Sequence, residues 1–455
     1  MRGRSHLMNP STEPASVPSR RNSISLTTAT SIAIANMVGT GVFTSLGFQL
    51  ADLRSGFAIL LLWALGGLIA LCGALTYGEL ASALPRSGGE LNFLSRIYHP
   101  AVGFLAGWIS IVVGFTLPIA LAAMAFGSYF SRVTPGIDPV FLSCLVVGAI
   151  TVAHLRDLRI GSLFQNLFTL FKVLLIVGFI AAAMALGDPG AVDLTPSAAA
   201  WGEISSGPFA IALLFVMYAY TGWNASVYVM DEVERPEVTV PRSLFLATAL
   251  VAVLYTLLNW AFLISAPADA MAGQVDVGHV AAEHLFGPAG GRFMSAALSL
   301  ALVSTISAMI WAGPRVTQVI GQDYAFFRGL AKTNRHGVPV VAILAQSGLV
   351  IVLLLSSTFE KLLVFAQFTL GLSSALTVLG VFVLRIKAPD LPRAYRVWGY
   401  PWTPLFFLIA SVAVAVFTLI ERPFESIAGL LTVLLGLPIY WFSPRTGPPA
   451  DEVAS

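Results

Sequence analysis

Twelve apolar runs fill most of this chain, and each is long enough to cross a bilayer. A spanning helix needs roughly 20 apolar residues. The runs lie at about 25–47, 56–83, 97–130, 138–155, 161–187, 208–232, 241–266, 292–320, 338–356, 359–386, 403–420 and 423–442. Only Glu421-Arg422-Pro423 separates the last two. The third run exceeds the bilayer thickness, which predicts a tilted helix. Charged residues make up 11% of the chain and mean hydropathy is +0.83. A soluble domain carries about 25% charge, so the composition predicts an all-α integral membrane protein of twelve transmembrane helices.

Other classes fall away on the same grounds. A net charge of +2 points to no nucleic acid partner. Cys72 and Cys144 both lie in apolar runs and form neither a disulfide framework nor a metal site. Residues 1–24 are polar and lack an apolar core, so they read as a disordered tail rather than a cleaved signal. The first run itself then serves as the membrane-targeting signal. Orientation follows from Lys and Arg in the connections. With the amino terminus inside, 19 of them fall on inner connections and tails and 5 on outer ones, while Lys172 lies within a run. This places both termini in the cytoplasm.

The first run is interrupted by Gly39-Thr40-Gly41. Glycine weakens a helix by about 1 kcal/mol, and backbone groups freed in hydrocarbon are expensive. A similar interruption returns about 180 residues later, in Tyr218-Ala219-Tyr220-Thr221-Gly222-Trp223-Asn224. Paired interruptions in two halves of a membrane chain point to a midplane small-molecule site. Five helices is an odd number, so a second set of five enters upside down. The expected arrangement is therefore a five-plus-five inverted repeat. Residues 25–187 form the first repeat and 208–386 the second. Appended helices cover 403–442, and a cytoplasmic tail covers 443–455.

At these residues the chain resembles the amino acid–polyamine–organocation (APC) superfamily, and within it the L-type amino acid transporters and their bacterial relatives. Gly39-Thr40-Gly41-Val42-Phe43 resembles the family's Gly-Ser-Gly-Ile-Phe break. Tyr77-Gly78-Glu79-Leu80 with Pro85-Arg86-Ser87-Gly88-Gly89-Glu90 resembles the stretch after its second span. Tyr218 to Asn224 resembles its Phe-Ala-Tyr-Gly-Gly-Trp-Asn break. Asp231-Glu232, Pro236 and Pro241-Arg242 follow at similar spacing. The likeness covers residue 25 to about 390 and implies amino acid transport by the inverted-repeat fold.

The resemblance implies that Val38, Gly39, Thr40 and Gly41 hold a substrate carboxylate on freed N–H groups at the positive end of a half-helix. The competing reading is a close helix-packing spot of small residues; Gly103 and Gly107 read as plain packing of that kind. The resemblance likewise gives the carbonyls of Tyr218, Ala219, Tyr220 and Thr221 to a substrate ammonium, with Tyr218 as an aromatic outer gate. Tyr218 stands where L-type proteins have phenylalanine, and Thr221 where they have glycine. Thr221 is expected to shrink or polarise the side-chain pocket. An interfacial aromatic belt is the alternative for Tyr218, but it lies about ten residues into its run.

Lys172 is the one basic residue deep inside a run, the others within run limits lying near the ends. It lies eleven residues past Gly161, about 16 Å deep at 1.5 Å per residue. Insertion of lysine at that depth costs about 2.5–3.5 kcal/mol, and snorkelling is the competing account. A low-dielectric setting disfavours charged lysine, which makes it a candidate proton carrier. By the resemblance, it stands where sodium-coupled cousins bind their ion, touching the first break and Ser304, Thr305 or Ser307. Glu79 reads either as an interface carboxylate near Arg86 or as an inner gate. Asp231, Glu232 and Glu234 read either as solvated helix-end charges or as partners of Arg20 and Arg21. His279, Glu283 and His284 are expected in an outer loop, and their spacing does not match a zinc helix. No cofactor is expected, and no nucleotide loop is present. The connection 131–136 has no cysteine, so no disulfide-linked accessory subunit is expected.

Four functions remain in play. The first is secondary transport of small neutral amino acids by alternating access, proton-coupled or exchanging. The second is transport of a cationic amine or polyamine, which needs an acidic residue in the pocket; none lies in runs 1, 3 or 8. The third is a membrane enzyme, for which runs 1 to 10 hold no suitable His, Asp or Glu cluster. The fourth is a channel or nutrient sensor, which would use the same binding residues.

Overall fold

The computed structural model describes residues 24–155, 162–335 and 337–443. Arg20, Arg21, Arg156 and Arg159, which carry part of the orientation argument and the expected pairing with Asp231 to Glu234, lie outside them. Among the described residues no β-strand occurs. The chain is a multi-pass helical membrane protein. Among the described residues, nine helices are long and apolar enough to cross a membrane, or ten if one bent pair forms a single span. Two further apolar helices, α7 (Pro139–Leu155) and α14 (Val340–Ser356), are 17 residues each.

The first run is two helices. α1 (Leu26–Met37) is capped by Ser25, whose hydroxyl accepts from Thr28 N. It ends at Val38, and α2 (Gly41–Asp52) restarts the helix. α3 (Gly56–Ala83) is capped by Ser55 and stops ahead of Pro85. α4 (Gly89–Ile97) follows on the left-handed Gly88.

The third run holds an irregularity. α5 (Pro100–Ile109) leads through a π-helical turn at Ser110–Phe115 into α6 (Thr116–Val133). Such turns widen a helix locally. Gly103 lies against Leu91 and Ser95 of α4, where a Cβ would stand 1.7 Å from Ser95 Oγ.

After α8 (Ser162–Leu186), α9 (Ala198–Ile204) and α10 (Gly207–Ala219) meet at a 64° bend. The sequence reading placed one run at 208–232, but α10 ends at Ala219. A short 3-10 segment, Ala225–Glu232, continues beyond the interruption. α11 (Pro236–Ser265) and α12 (Ala268–Met271) follow. α13 spans Val277–Asp323 with a kink at Gly287, φ 76°. His279, Glu283 and His284, expected in a loop, therefore sit on a helical turn. His279 and Glu283 are 3.4 Å apart at i,i+4 spacing. α15 (Phe359–Lys387), α16 (Trp402–Glu421) and α17 (Pro423–Phe442) complete the order.

α3 on α11 and α6 on α13 are the most extensive packing relations, and α2 also packs on α10 and α7 on α14. Bare backbone makes the closest of them. A Cβ at Gly41 would lie 2.5 Å from Ala219 Cα, and one at Gly222 would lie 2.8 Å from the Asn36 carbonyl. The two interruptions therefore touch.

Glu79 is buried and does not pair with Arg86, one of its two expected settings. Its carboxylate accepts from Arg385 at 2.8 and 2.6 Å and from Val397 N at 2.8 Å. Arg393 Nε stands 3.5 Å away. Arg385 and Arg393 lie over 300 residues from Glu79, so only packing of α15 and the connection after it on α3 could reveal them.

Gly222 has φ 97°, a conformation costing an L-residue about 1–2 kcal/mol. Gly222→Ala should lower the unfolding temperature of the purified protein by several degrees, because the methyl also meets Asn36 backbone. An unchanged melting curve would show that the two interruptions do not pack as described.

Candidate functional site

Breaking a helix frees the carbonyls of its last turn and the N–H groups of the next one. At the first interruption the carbonyls are taken up by side chains from two other helices, one of them held in turn by a third. Tyr255 of α11 donates its hydroxyl to Met37 O at 2.6 Å. Lys172 of α8 donates to Val38 O at 3.2 Å and to Thr305 Oγ1 of α13 at 2.7 Å. Lys172 is 7% exposed. Its ammonium carries three donors and no acceptor, which suits a spot with a stray carbonyl and a hydroxyl.

A small cavity lies against the start of α2. Gly39, Thr40, Phe43 and Thr44 form one wall, Ala125 and Tyr129 of α6 a second, and Lys172 with Leu298, Ala301, Leu302 and Thr305 the rest. Among the described residues, Lys172 is the one charged side chain lining it. The first N–H groups of α2 give this end a partial positive charge. The cavity thus favours a ligand group with anionic or acceptor character.

At the second interruption Tyr218 O accepts from Thr221 N at 2.9 Å and from Thr221 Oγ1 at 2.6 Å. The buried Tyr218 hydroxyl meets the Thr40 side chain across the two interruptions. That contact uses the oxygen that phenylalanine would lack. Ala219 backs onto Gly41. Tyr220 turns away, donating to Trp63 O at 3.2 Å and Ala252 O at 3.4 Å, so its ring joins α3 to α11. Thr221 lines a different cavity, between α3, α15 and α16, together with Tyr220, Met217, Gln367 and Phe407.

Both ends of this paired element are covered. On one side Tyr129 donates to Phe43 O at 2.8 Å and accepts from Gly278 N at 3.1 Å. Gly273 N donates to Gly47 O at 2.7 Å, laying the segment after α12 on α2. Arg132 pairs with buried Asp276 at 2.6 Å. On the other side Ile24 N donates to Glu232 O and Glu234 N donates to Ile24 O, at 2.7 and 3.0 Å. The buried carboxylate of Glu90 accepts from Tyr77 at 3.0 Å, from Asn224 at 2.5 Å and from Tyr228. Asp231 bonds Ser87.

Sequence reasoning singled out Lys172 but missed Tyr255, Tyr129, Glu90 as a ligand of Asn224, and Gln367. Among the described residues no group of three or more His, Cys, Asp or Glu could hold a metal ion.

Residues 24–441 match the amino acid permease family. The chain is 28% identical to the serine/threonine exchanger SteT of Bacillus subtilis over 429 residues, covering 92% of this chain and 96% of that protein. It is 27% identical to the Asc-type amino acid transporter 1 of Mus musculus over 435 residues, covering 92% and 81%. It is 25% identical to the human cystine/glutamate transporter over 437 residues, covering 92% and 85%. With its touching helix interruptions and a match over nearly the whole chain, the protein belongs to the amino acid permease family of the APC superfamily, resembles the L-type transporters within it, and is an amino acid transporter.

Proposed function

We propose that this protein is a secondary transporter of small neutral amino acids that works by alternating access. The observation that carries the reading is the contact between two interrupted helices beside a cavity whose single charged wall residue is Lys172. The α2 end, with Gly39, Thr40 and Gly41, takes the substrate carboxylate, and carbonyls of 218–221 take the ammonium. A lysine-lined cavity opposes a cationic amine substrate by like charge.

The supporting packing is also that of a repeat. α2–α10, α3–α11, α6–α13 and α7–α14 each join a run to the run five places later. On that basis residues 25–187 and 208–386 are inverted repeats, and the bent pair and two shorter helices bring the crossings to twelve. Spans 403–442 are appended, both termini are cytoplasmic, and the protein resides in the cell membrane. Motion between the repeats would open one covered end at a time. Lys172 couples this motion to transport, because it holds Val38 of the interruption against α13. One of the relatives is a serine/threonine exchanger, which favours exchange; proton symport is the second reading, for which the buried lysine speaks.

Counterflow in proteoliposomes tests the function. Vesicles preloaded with unlabelled alanine or serine should accelerate entry of labelled alanine. If no amino acid drives entry into vesicles holding folded protein, the reading fails. Accumulation into empty vesicles under a pH gradient would select symport, and dependence on an internal amino acid would select exchange.

Lys172→Ala leaves the Val38 carbonyl without its partner, a loss of about 1–3 kcal/mol for a buried polar group. Counterflow should fall at least about tenfold while the protein still elutes as a folded species. Counterflow at the wild-type rate would remove Lys172 from the mechanism.

A further inference from the structure

Against α10, two adjoining cavities share the walls Met217, Gln367 and Gly371. The first is bounded by Thr221 of the second interruption. The second reaches Ser411 of α16. Gln367 is 6% exposed and Ser411 7% exposed. Gln367 Oε1 and Ser411 Oγ are both buried and neither has a hydrogen-bond partner.

Buried polar atoms in folded proteins are almost always paired, and an unpaired one is costly. Here two lie on the walls of uncharged space whose other hydroxyl-bearing side chains are Tyr220, Thr221 and Ser374, next to the element proposed to hold substrate. Gly371 keeps the space open: a Cβ there would meet nothing nearer than Gln367 Nε2, at 3.8 Å.

We propose that Gln367 reads the side chain of the transported amino acid, and that the favoured substrates carry an uncharged hydroxyl or amide. This rests on the transport reading above and names its substrate class. A substrate held by the carbonyls around Thr221 would extend its side chain along Thr221 and Met217 towards Gln367. A hydroxyl donates to Gln367 Oε1. An apolar side chain of the same shape leaves that oxygen unpaired, and a charged one meets no counter-charge. A site built to hydrogen-bond a hydroxyl rejects the analogue lacking it far more strongly than an apolar slot rejects a missing methylene. Ser411, one helix further on, is within the adjoining cavity and serves longer side chains.

Threonine and valine have nearly the same shape and differ by hydroxyl against methyl. Competition of each against labelled alanine counterflow, in proteoliposomes holding the full chain, therefore isolates the hydroxyl. Wild type should prefer threonine by about tenfold, the size of one net hydrogen bond to a buried acceptor. Gln367→Met keeps the length and removes the amide, and should bring the ratio to about one. A wild-type ratio near one, or a ratio that Gln367→Met leaves unchanged, overturns the proposal.

Gly371→Val tests the cavity with the amide in place. It should lower the threonine-to-alanine ratio, because the added methyls occupy the space beyond alanine's reach. An unchanged ratio would place the side chain elsewhere, and this measurement stands even if the methionine variant does not fold. Failure of every amino acid to exchange on wild type sinks the transport reading itself. Amino acid exchange with no response at 367 and 371 sinks only the side-chain assignment.

Discussion

Every backbone polar group in the hydrocarbon layer must find a partner within the protein, and the rest of this structure depends on how that demand is met at Met37 and Val38. The chain breaks its first helix, then recovers the lost hydrogen bonds with the Tyr255 hydroxyl and the Lys172 ammonium. Those two side chains come from α11 and α8, and Lys172 is itself held by Thr305 of α13. One interruption therefore binds four helices to a single point. The second interruption needs fewer outside partners, because Thr221 caps the Tyr218 carbonyl locally with both its amide and its hydroxyl.

The close approach of the two interruptions is a steric consequence of small residues. Gly41 against Ala219 and Gly222 against Asn36 bring main chain to main chain, which puts the two sets of helix ends side by side. A larger residue at any of these places would separate the ends. The polar groups at this point are few, and their partners lie on elements that do not belong to the same pair of helices.

Charge is distributed by the same logic. Glu79 is almost fully buried, but two guanidinium groups and one backbone N–H surround it. A buried ion is tolerated only when paired and hydrogen-bonded. Glu90 is held differently, by the neutral donors Tyr77, Asn224 and Tyr228. It fastens α4 to α3 and to the segment that follows α10. The result is a rigid anchor at Glu79 and a latch made of neutral hydrogen bonds at Glu90.

Hydropathy and glycine placement are local properties, and so the sequence by itself determined what depends on local chemistry. It showed a helical membrane protein, two interruptions at 38–41 and 218–224, and one lysine too deep to ignore. The family resemblance at those motifs supplied Thr305 among the neighbours expected for that lysine. Tertiary structure decided everything that requires two distant segments to meet. Arg385 as the partner of Glu79, Tyr255 on Met37, the Glu90 latch and the Gln367 cavity all join residues far apart in the chain, and no periodicity records such pairings. The bend between α9 and α10, the π-helical turn in the third run and the kink at Gly287 also came only from the structure. In an apolar run, helical and bent forms have the same hydropathy, and packing against neighbouring helices selects between them.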